Sequence, residues 1–183
     1  MAEDDNELVS RCLKKEVAAE YELFRRFAPK MYGICLRYGG SEPEADEILQ
    51  SGFIRLFSRL HQYRREGSLE SWIKRIFVST AINYYKNTLK FNKLVEITSE
   101  DEYSVVEEGE GSAWSEKELL EVIRKLPVGY RTIFNMFVIE DYRHEEIANL
   151  LGITIGTSKS QLNRAKALIR KMLSDRGHQN TIA

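Results

Sequence analysis

The sequence predicts an all-α protein of two small helical domains joined by an acidic linker, and three observations carry that prediction. Apolar residues recur at helical spacing through most of the chain, no long segment alternates apolar and polar, and the 183 residues include only three prolines and eleven glycines. Charge is segregated: residues 54–93 hold nine Lys or Arg against Glu66 and Glu70, a local charge of +7, and residues 159–176 hold six against Asp175, a local charge of +5. Between them, residues 96–116 carry eight acids and neither Lys nor Arg, so a net charge of −1 conceals two basic modules flanking an acidic connector. Residues 144–171 read as two short helices about a glycine turn, the second with a basic face, which is the pattern of a helix-turn-helix. The resulting divisions are 1–93, a linker at 94–114, a second domain at 115–176, and a frayed tail at 177–183.

In chain order, residues 7–15 form a short amphipathic helix with Leu8, Val9, Cys12 and Leu13 inward. A longer helix over 17–38 repeats its apolar residues at 17, 20 or 21, 24, 27, 28, 31 and 35, and Pro29 is expected to kink it without ending it. Gly39, Gly40 and Ser41 break the pattern. Pro43 then suits the first turn of a third helix, whose positive end is matched by Glu42, Glu44, Asp46 and Glu47. That helix runs to about Tyr63, turns Ile48, Phe53, Leu56, Phe57 and Leu60 inward, and leaves Asp46, Glu47, Gln50, Arg55 and Arg59 in solvent. Residues 63–68, YRREGS, are a loop by composition, followed by a helix to about Leu89. Here Lys74, Arg75, Lys86 and Lys90 accompany Trp72, Phe77, Tyr84 and Tyr85, and cations interleaved with aromatics are suited to holding unstacked single-stranded bases. Trp72, Ile73, Ile76 and Phe77 read more simply as core.

The acidic stretch lacks periodicity, and at ~3.3 Å per residue its twenty-one residues reach ~70 Å, enough for the two modules to engage separate sites on a large partner. Ser115 caps a helix carrying Leu119, Leu120, Val122, Ile123 and Leu126, which Pro127 ends. Residues 129–139, GYRTIFNMFVI, form an apolar helix behind the helix-turn-helix. The first helix of that motif holds Ile147, Ala148, Leu150 and Leu151 at helical spacing and stops at Gly152, which can enter the left-handed region without steric cost. Thr154 is the N-cap of the second, whose inward stripe is Ser158, Leu162, Ala165, Ile169 and Met172. Its opposite face carries Lys159, Ser160, Asn163, Arg164, Lys166, Arg170 and Lys171, a mixture of phosphate-seeking cations and short side chains able to hydrogen-bond base edges. A basic amphipathic helix alone would fit a solvated surface as well; the preceding helix and glycine turn decide for a recognition helix.

Other function classes find little support. No apolar run approaches the ~20 residues that span a bilayer, and MAEDDNE has neither the basic start nor the apolar core of a signal peptide, so a cytoplasmic protein is expected. Cys12 and Cys35 lie in helical patterns without metal-ligand spacing and read as reduced core thiols. His61, His144 and His178 are far apart, His144 reads as a helix-start surface residue, and neither a glycine-rich phosphate loop nor a nucleophile elbow occurs. An enzyme, a cofactor, a metal and a small-molecule substrate are therefore not expected.

Four segments, in order, resemble those of a bacterial sigma factor of the extracytoplasmic-function group of the sigma-70 family. They are ELVSRCLKKEVAAEYELFRRFAPKMYGICLRY, EADEILQSGFIRLF, REGSLESWIKRIFVSTAINYYK, and the stretch from LPVGYRTIFNMFVIEDYRHEEIANLLG through ITIGTSKSQLNRAKALIRK, together covering nearly the whole chain. The resemblance implies an alternative sigma factor whose 1–93 region docks on core RNA polymerase and melts the minus-ten element, and whose 115–176 region reads the minus-thirty-five element of promoter DNA. It points to Asp46, Glu47, Gln50 and Phe53 for docking on the polymerase clamp, and to residues 63–68, including Tyr63, Arg64, Arg65 and Ser68, for capture of an unpaired base. Lys74, Asn83 and Lys86 join them along the melted strand. Lys159, Ser160, Asn163, Arg164, Lys166 and Arg170 fall to the upstream element. The acidic linker is similar to the connector that threads the RNA channel, and a membrane-bound anti-sigma factor is the further partner implied. Arg143 stands where the family carries a Ser or Thr cap, an expected loss of ~1 kcal/mol unless Asp141 substitutes. The competing reading is a helix-turn-helix regulator acting without core polymerase; it calls for an effector pocket or a dimer interface, whereas the sigma reading calls for a free monomer.

Overall fold

The computed structural model describes residues 4–92 and 115–180, so the linker expected at 94–114 lies outside the described residues. Among the described residues every regular element is helical, and the chain divides into two compact units, residues 1–83 and 84–183, the division falling within one long helix.

In the first unit, α1 (Asp5–Leu13) buries Leu8, Val9 and Cys12 and ends before Lys15, which takes a φ of +63°. Leu13, expected inward, is the last residue of α1 and is 45% exposed. α2 (Val17–Tyr38) continues through Pro29, as its uninterrupted period required. Its buried stripe is Ala19, Leu23, Phe27, Met31, Ile34, Cys35 and Tyr38, whereas Val17, Tyr21 and Phe24 are 79%, 65% and 42% exposed. The expected face shares only Phe27, Met31 and Cys35 with the real one. Residues 17, 21, 24 and 28 also recur at helical spacing, so α2 has two apolar faces and period alone cannot choose between them. Cys12 and Cys35 are buried free thiols, and burial pushes Cys35 up to about 12.

Ser41 opens α3 (Glu42–Arg59): its hydroxyl accepts the Glu44 N–H, the Glu44 carboxylate accepts the Gly40 N–H at 2.6 Å, and Pro43 occupies the first turn. A 3-10 turn (Leu60–Gln62) extends it, and Ile48, Phe53, Leu56 and Leu60 are buried along one face. α4 (Leu69–Asn92) starts where Ser68 accepts the Ser71 N–H at 3.1 Å. α3 and α4 meet at Gly52, where a Cβ would lie 2.4 Å from a ring carbon of the fully buried Phe77, and Phe53 meets the same ring edge-on at 5.1 Å. Gly52→Ala should therefore lower stability by about 1–2 kcal/mol, overpacking outweighing the gain in helix propensity. Thermal denaturation of the two proteins checks this, and an unchanged or raised midpoint would mean that α3 and α4 can separate at that crossing.

In the second unit, Ser115 and Glu118 form a reciprocal capping box on α5 (Glu116–Lys125). Pro127 follows it and leads into α6 (Val128–Phe134). Arg131 of α6 is only 5% exposed, and its guanidinium donates to the carbonyls of Arg124 and Leu126, at 2.9 and 3.4 Å, so a cation closes the negative end of α5. The helix expected over 129–139 is thus continuous but not uniform: Asn135–Ile139 is a π turn, closed by the Glu140 N–H to the Asn135 carbonyl at 3.0 Å. α7 (His144–Leu151) and α8 (Ile155–Asn180) follow, and α8 runs through Gly177, where fraying was expected, as far as Asn180. Leu126, Ala165 and Leu168 form an apolar cluster flanked by Tyr130, Phe134, Ile169 and Met172. Leu119, expected inward on α5, is 38% exposed.

Candidate nucleic-acid and protein interfaces

α7 and α8 form the expected helix-turn-helix. Gly152 closes α7 at φ +69°, with its N–H on the Ala148 carbonyl at 2.9 Å, and Thr154 caps α8 by accepting the Thr157 N–H at 3.0 Å. The Arg143 N–H donates to the Glu146 carboxylate at 2.8 Å, so Glu146 supplies half of a capping box that the missing Ser or Thr would have completed. Asp141 does not substitute; it turns the chain at φ +57° instead. Ser158, Leu162 and Ala165 are buried and Ile169 and Met172 partly so, which leaves the opposite face of α8 in solvent. On it Lys159, Asn163, Lys166 and Arg170 form one row spanning ~16 Å, and Ser160 and Arg164 open a second row ~100° around the axis. Lys159, Ser160, Asn163, Arg164 and Arg170 are exposed and Lys166 half-buried. None of the four cations forms an ion pair among the described residues, and Ser160 donates to the Thr157 carbonyl at 3.1 Å, leaving its lone pairs outward.

The loop 63–68 is held in a defined shape. The Tyr63 hydroxyl donates to the Gly67 carbonyl at 2.9 Å, its ring lies 5.3 Å from that of Trp72, Arg65 and Gly67 take φ of +61° and +85°, and Arg65 donates to the Ser10 hydroxyl on α1 at 2.8 Å. Ser68 is committed to capping α4, through the Ser71 N–H and hydroxyl. Arg64 remains exposed and without an ion pair among the described residues. On α4, Trp72, Arg75, Ser79, Asn83 and Lys86 recur at helical spacing along one side, and Arg75, Ser79 and Asn83 are exposed. Lys74 is half-buried and lies half a helical rotation from Asn83, outside that row.

The docking candidates converge. Asp46, Glu47, Gln50 and Phe53 line an open groove of about 800 Å³ between α2 and α3, together with Phe24, Pro43, Leu49, Ile54 and Phe57. Phe53 is 5% exposed and forms its floor, tilted against Phe24 at 4.6 Å. Ile54 is 66% exposed on the rim. Asp46, Glu47 and Gln50 are exposed and make neither an ion pair nor a side-chain hydrogen bond among the described residues. An apolar trough edged by two uncommitted carboxylates suits a partner helix with an apolar face and basic flanks.

Sigma-70 region 2 matches residues 23–90 and sigma-70 region 4 matches residues 116–169. The chain belongs to the sigma-70 family. It is 27% identical over 143 residues to the RNA polymerase sigma factor SigV of Bacillus subtilis, covering 78% of this chain and 84% of that one. It is also 27% identical over 180 residues to the ECF RNA polymerase sigma-E factor of Haemophilus influenzae, covering 92% and 95%. A solved relative is the sigma factor RpoE of Bartonella quintana, in a co-crystal structure with the anti-sigma factor NepR: TM-score 0.49 and 15% identity, over 84% of this chain and 96% of that one. Within the family this is an extracytoplasmic-function sigma factor, a DNA-binding factor of transcription initiation that directs promoter recognition. No helix among its described residues is long and apolar enough to cross a membrane.

Three features of this sigma factor escape a reading by sequence. Of the neighbouring cations Lys74 and Arg75, it is Arg75 that shares the exposed side of α4 with Asn83 and Lys86, although the resemblance points to Lys74; the two are indistinguishable until the rotation of the helix is fixed. Arg131 is a buried cap and not a surface charge. His144 starts α7 as expected, but it is half-buried and not simply a surface residue, with Nδ1 2.9 Å from the Ser158 hydroxyl and its ring stacked on Phe137 at 4.4 Å. The signal was present, because a serine on an apolar stripe demands a partner.

Proposed function

We propose that this sigma factor docks on core RNA polymerase through the groove edged by Asp46, Glu47 and Gln50 and reads the upstream promoter element with α8. The loop 63–68, with Tyr63, Arg64, Arg65 and Ser68, and the residues Lys74, Asn83 and Lys86 on α4 engage the melted minus-ten strand, with Arg75 added to them. Residues 1–93 and 115–176 act as the two functional modules, the acidic stretch 94–114 connects them, and the protein works in the cytoplasm as a monomer until it meets its partners. A membrane-bound anti-sigma factor is the remaining partner implied by the family. The observation that supports this reading best is the exposed face of α8, where a base-reading amide and four cations without ion pairs among the described residues sit on a helix set by Gly152 and Thr154.

Each basic module is small, and the seven acids of the 94–114 connector compete with phosphate for it, so the free protein should bind promoter DNA weakly. Core polymerase should relieve this, and fluorescence anisotropy on promoter DNA with and without core tests it. Sequence-specific nanomolar binding by the free protein would favour the regulator that acts alone, and gel filtration would then show a dimer in place of the monomer.

A further inference from the structure

Ser158 is wholly buried, on the stripe of α8 that carries Leu162 and Ala165, and its hydroxyl lies 2.9 Å from His144 Nδ1. His144 is the first residue of α7, and Phe137, of the π turn before it, stacks on the imidazole with an interplanar angle of 24°. One ring thus holds the π turn, the start of α7 and the second turn of α8 together. Either imidazole tautomer makes the bond, with Nδ1 accepting from the hydroxyl or donating to it. Apolar contacts between two helices tolerate small rotations and slides. A buried polar pair favours one register, since in any other the imidazole nitrogen loses its partner and the hydroxyl can fall back only on a carbonyl of its own helix one turn earlier. Ser158 immediately precedes Lys159 and Ser160, so a rotation of α8 at this point swings the face that carries Asn163.

We propose that His144 and Ser158 form a latch that fixes the rotation of α8 against α7 and so sets base preference at the upstream element; both are positioning residues, and the proposal rests on α8 being the reading helix. Phe137 holds the imidazole in the plane that points Nδ1 at the hydroxyl.

The test uses the full chain with core polymerase and a panel of promoters bearing single-base changes in the upstream element. The readout is the ratio of transcription from the preferred element to that from each variant, beside thermal denaturation of every protein. Ser158→Ala and His144→Ala should each lower that ratio by about threefold to tenfold, and the double variant should do no worse than either, as expected of two groups acting through one bond. His144→Asn, whose amide reaches the place of Nδ1, should keep most of the wild-type ratio. Ser158→Ala removes a buried hydroxyl and should stay folded, so it carries the test even if His144→Ala melts early. Wild-type ratios in Ser158→Ala, or losses that multiply in the double variant, overturn the latch. Asn163→Ala in the same panel separates the two levels: if it too leaves every ratio unchanged, α8 is not the reading helix, whereas if it flattens them while Ser158→Ala does not, only the latch fails.

Discussion

Reversing the charge of Asp46 and Glu47 together abolishes co-purification with core polymerase while leaving helical content by circular dichroism unchanged; this is the expected result for the docking groove. Both carboxylates are exposed on the outer side of α3 and have no ion-pair or hydrogen-bond partner among the described residues, so replacing them by Lys removes nothing that holds the first unit together. The helix start does not depend on them either, since Ser41, Glu44 and Pro43 supply its cap. At a docked interface the consequence differs. Each reversal puts like charge against the basic flank that the groove suits, and like-charge juxtaposition costs several kcal/mol, so two of them should weaken binding by at least about a thousandfold. Phe53 is unsuitable for this purpose, because it floors the groove and also packs edge-on against Phe77, and its loss would unfold as well as undock. If the double reversal and the wild type pull down equal amounts of core, the groove is not the docking site and the assignment of α3 is wrong.

How much of this was legible in the sequence depended on whether the deciding interaction was local. The turn of the helix-turn-helix was fully written there: Gly152 is required by a left-handed φ, Thr154 caps through a residue three positions on, and the exposed face of α8 follows from them by rotation. The cap at Ser115 was legible for the same reason, whereas Ser41 reads in the sequence only as a break in the pattern and proves to cap α3. α2 was not, because Val17, Tyr21 and Phe24 repeat as regularly as Leu23, Phe27 and Ile34, and only packing against α1 and α3 decides which set is covered. The docking residues came from resemblance alone; their convergence on one groove needed α2 and α3 side by side. Arg131 and His144 depend on partners seven and fourteen residues away across a turn; Ser158 on its apolar stripe signals that a partner is needed, but residue type at that range does not say which. The helix that bears Lys74 and Arg75 shows the limit in small form: one residue is a rotation of ~100°, so the cation that shares a face with Asn83 emerges only once α4 is packed.

Asn163→Ala and Arg170→Ala should separate reading from positioning on α8. The two lie in the same exposed row, about 10 Å apart along the axis, with Asn163 nearer the N-terminal end that a recognition helix points into the major groove. A carboxamide on a short stem can form a pair of hydrogen bonds to a base edge, whereas a long guanidinium further back meets the phosphates of the flanking backbone. Neither side chain is engaged by a hydrogen bond or an ion pair among the described residues, so truncation should not disturb the helix, and alanine is if anything the better helix former. Asn163→Ala should therefore cost ~1 to 3 kcal/mol on the preferred upstream element and much less on its variants, flattening the preference. Arg170→Ala should weaken binding to every sequence alike and reduce the salt slope by about one ion. Lys159 and Arg164 stand nearer the N-terminus and are long enough for either task, so they discriminate less well. Binding of the complex with core polymerase, measured over single-base changes at several salt concentrations, gives both quantities at once. Should Asn163→Ala lose affinity uniformly while Arg170→Ala changes the preferred base, α8 enters the groove by its C-terminal half, and the orientation argued from Gly152 and Thr154 is reversed.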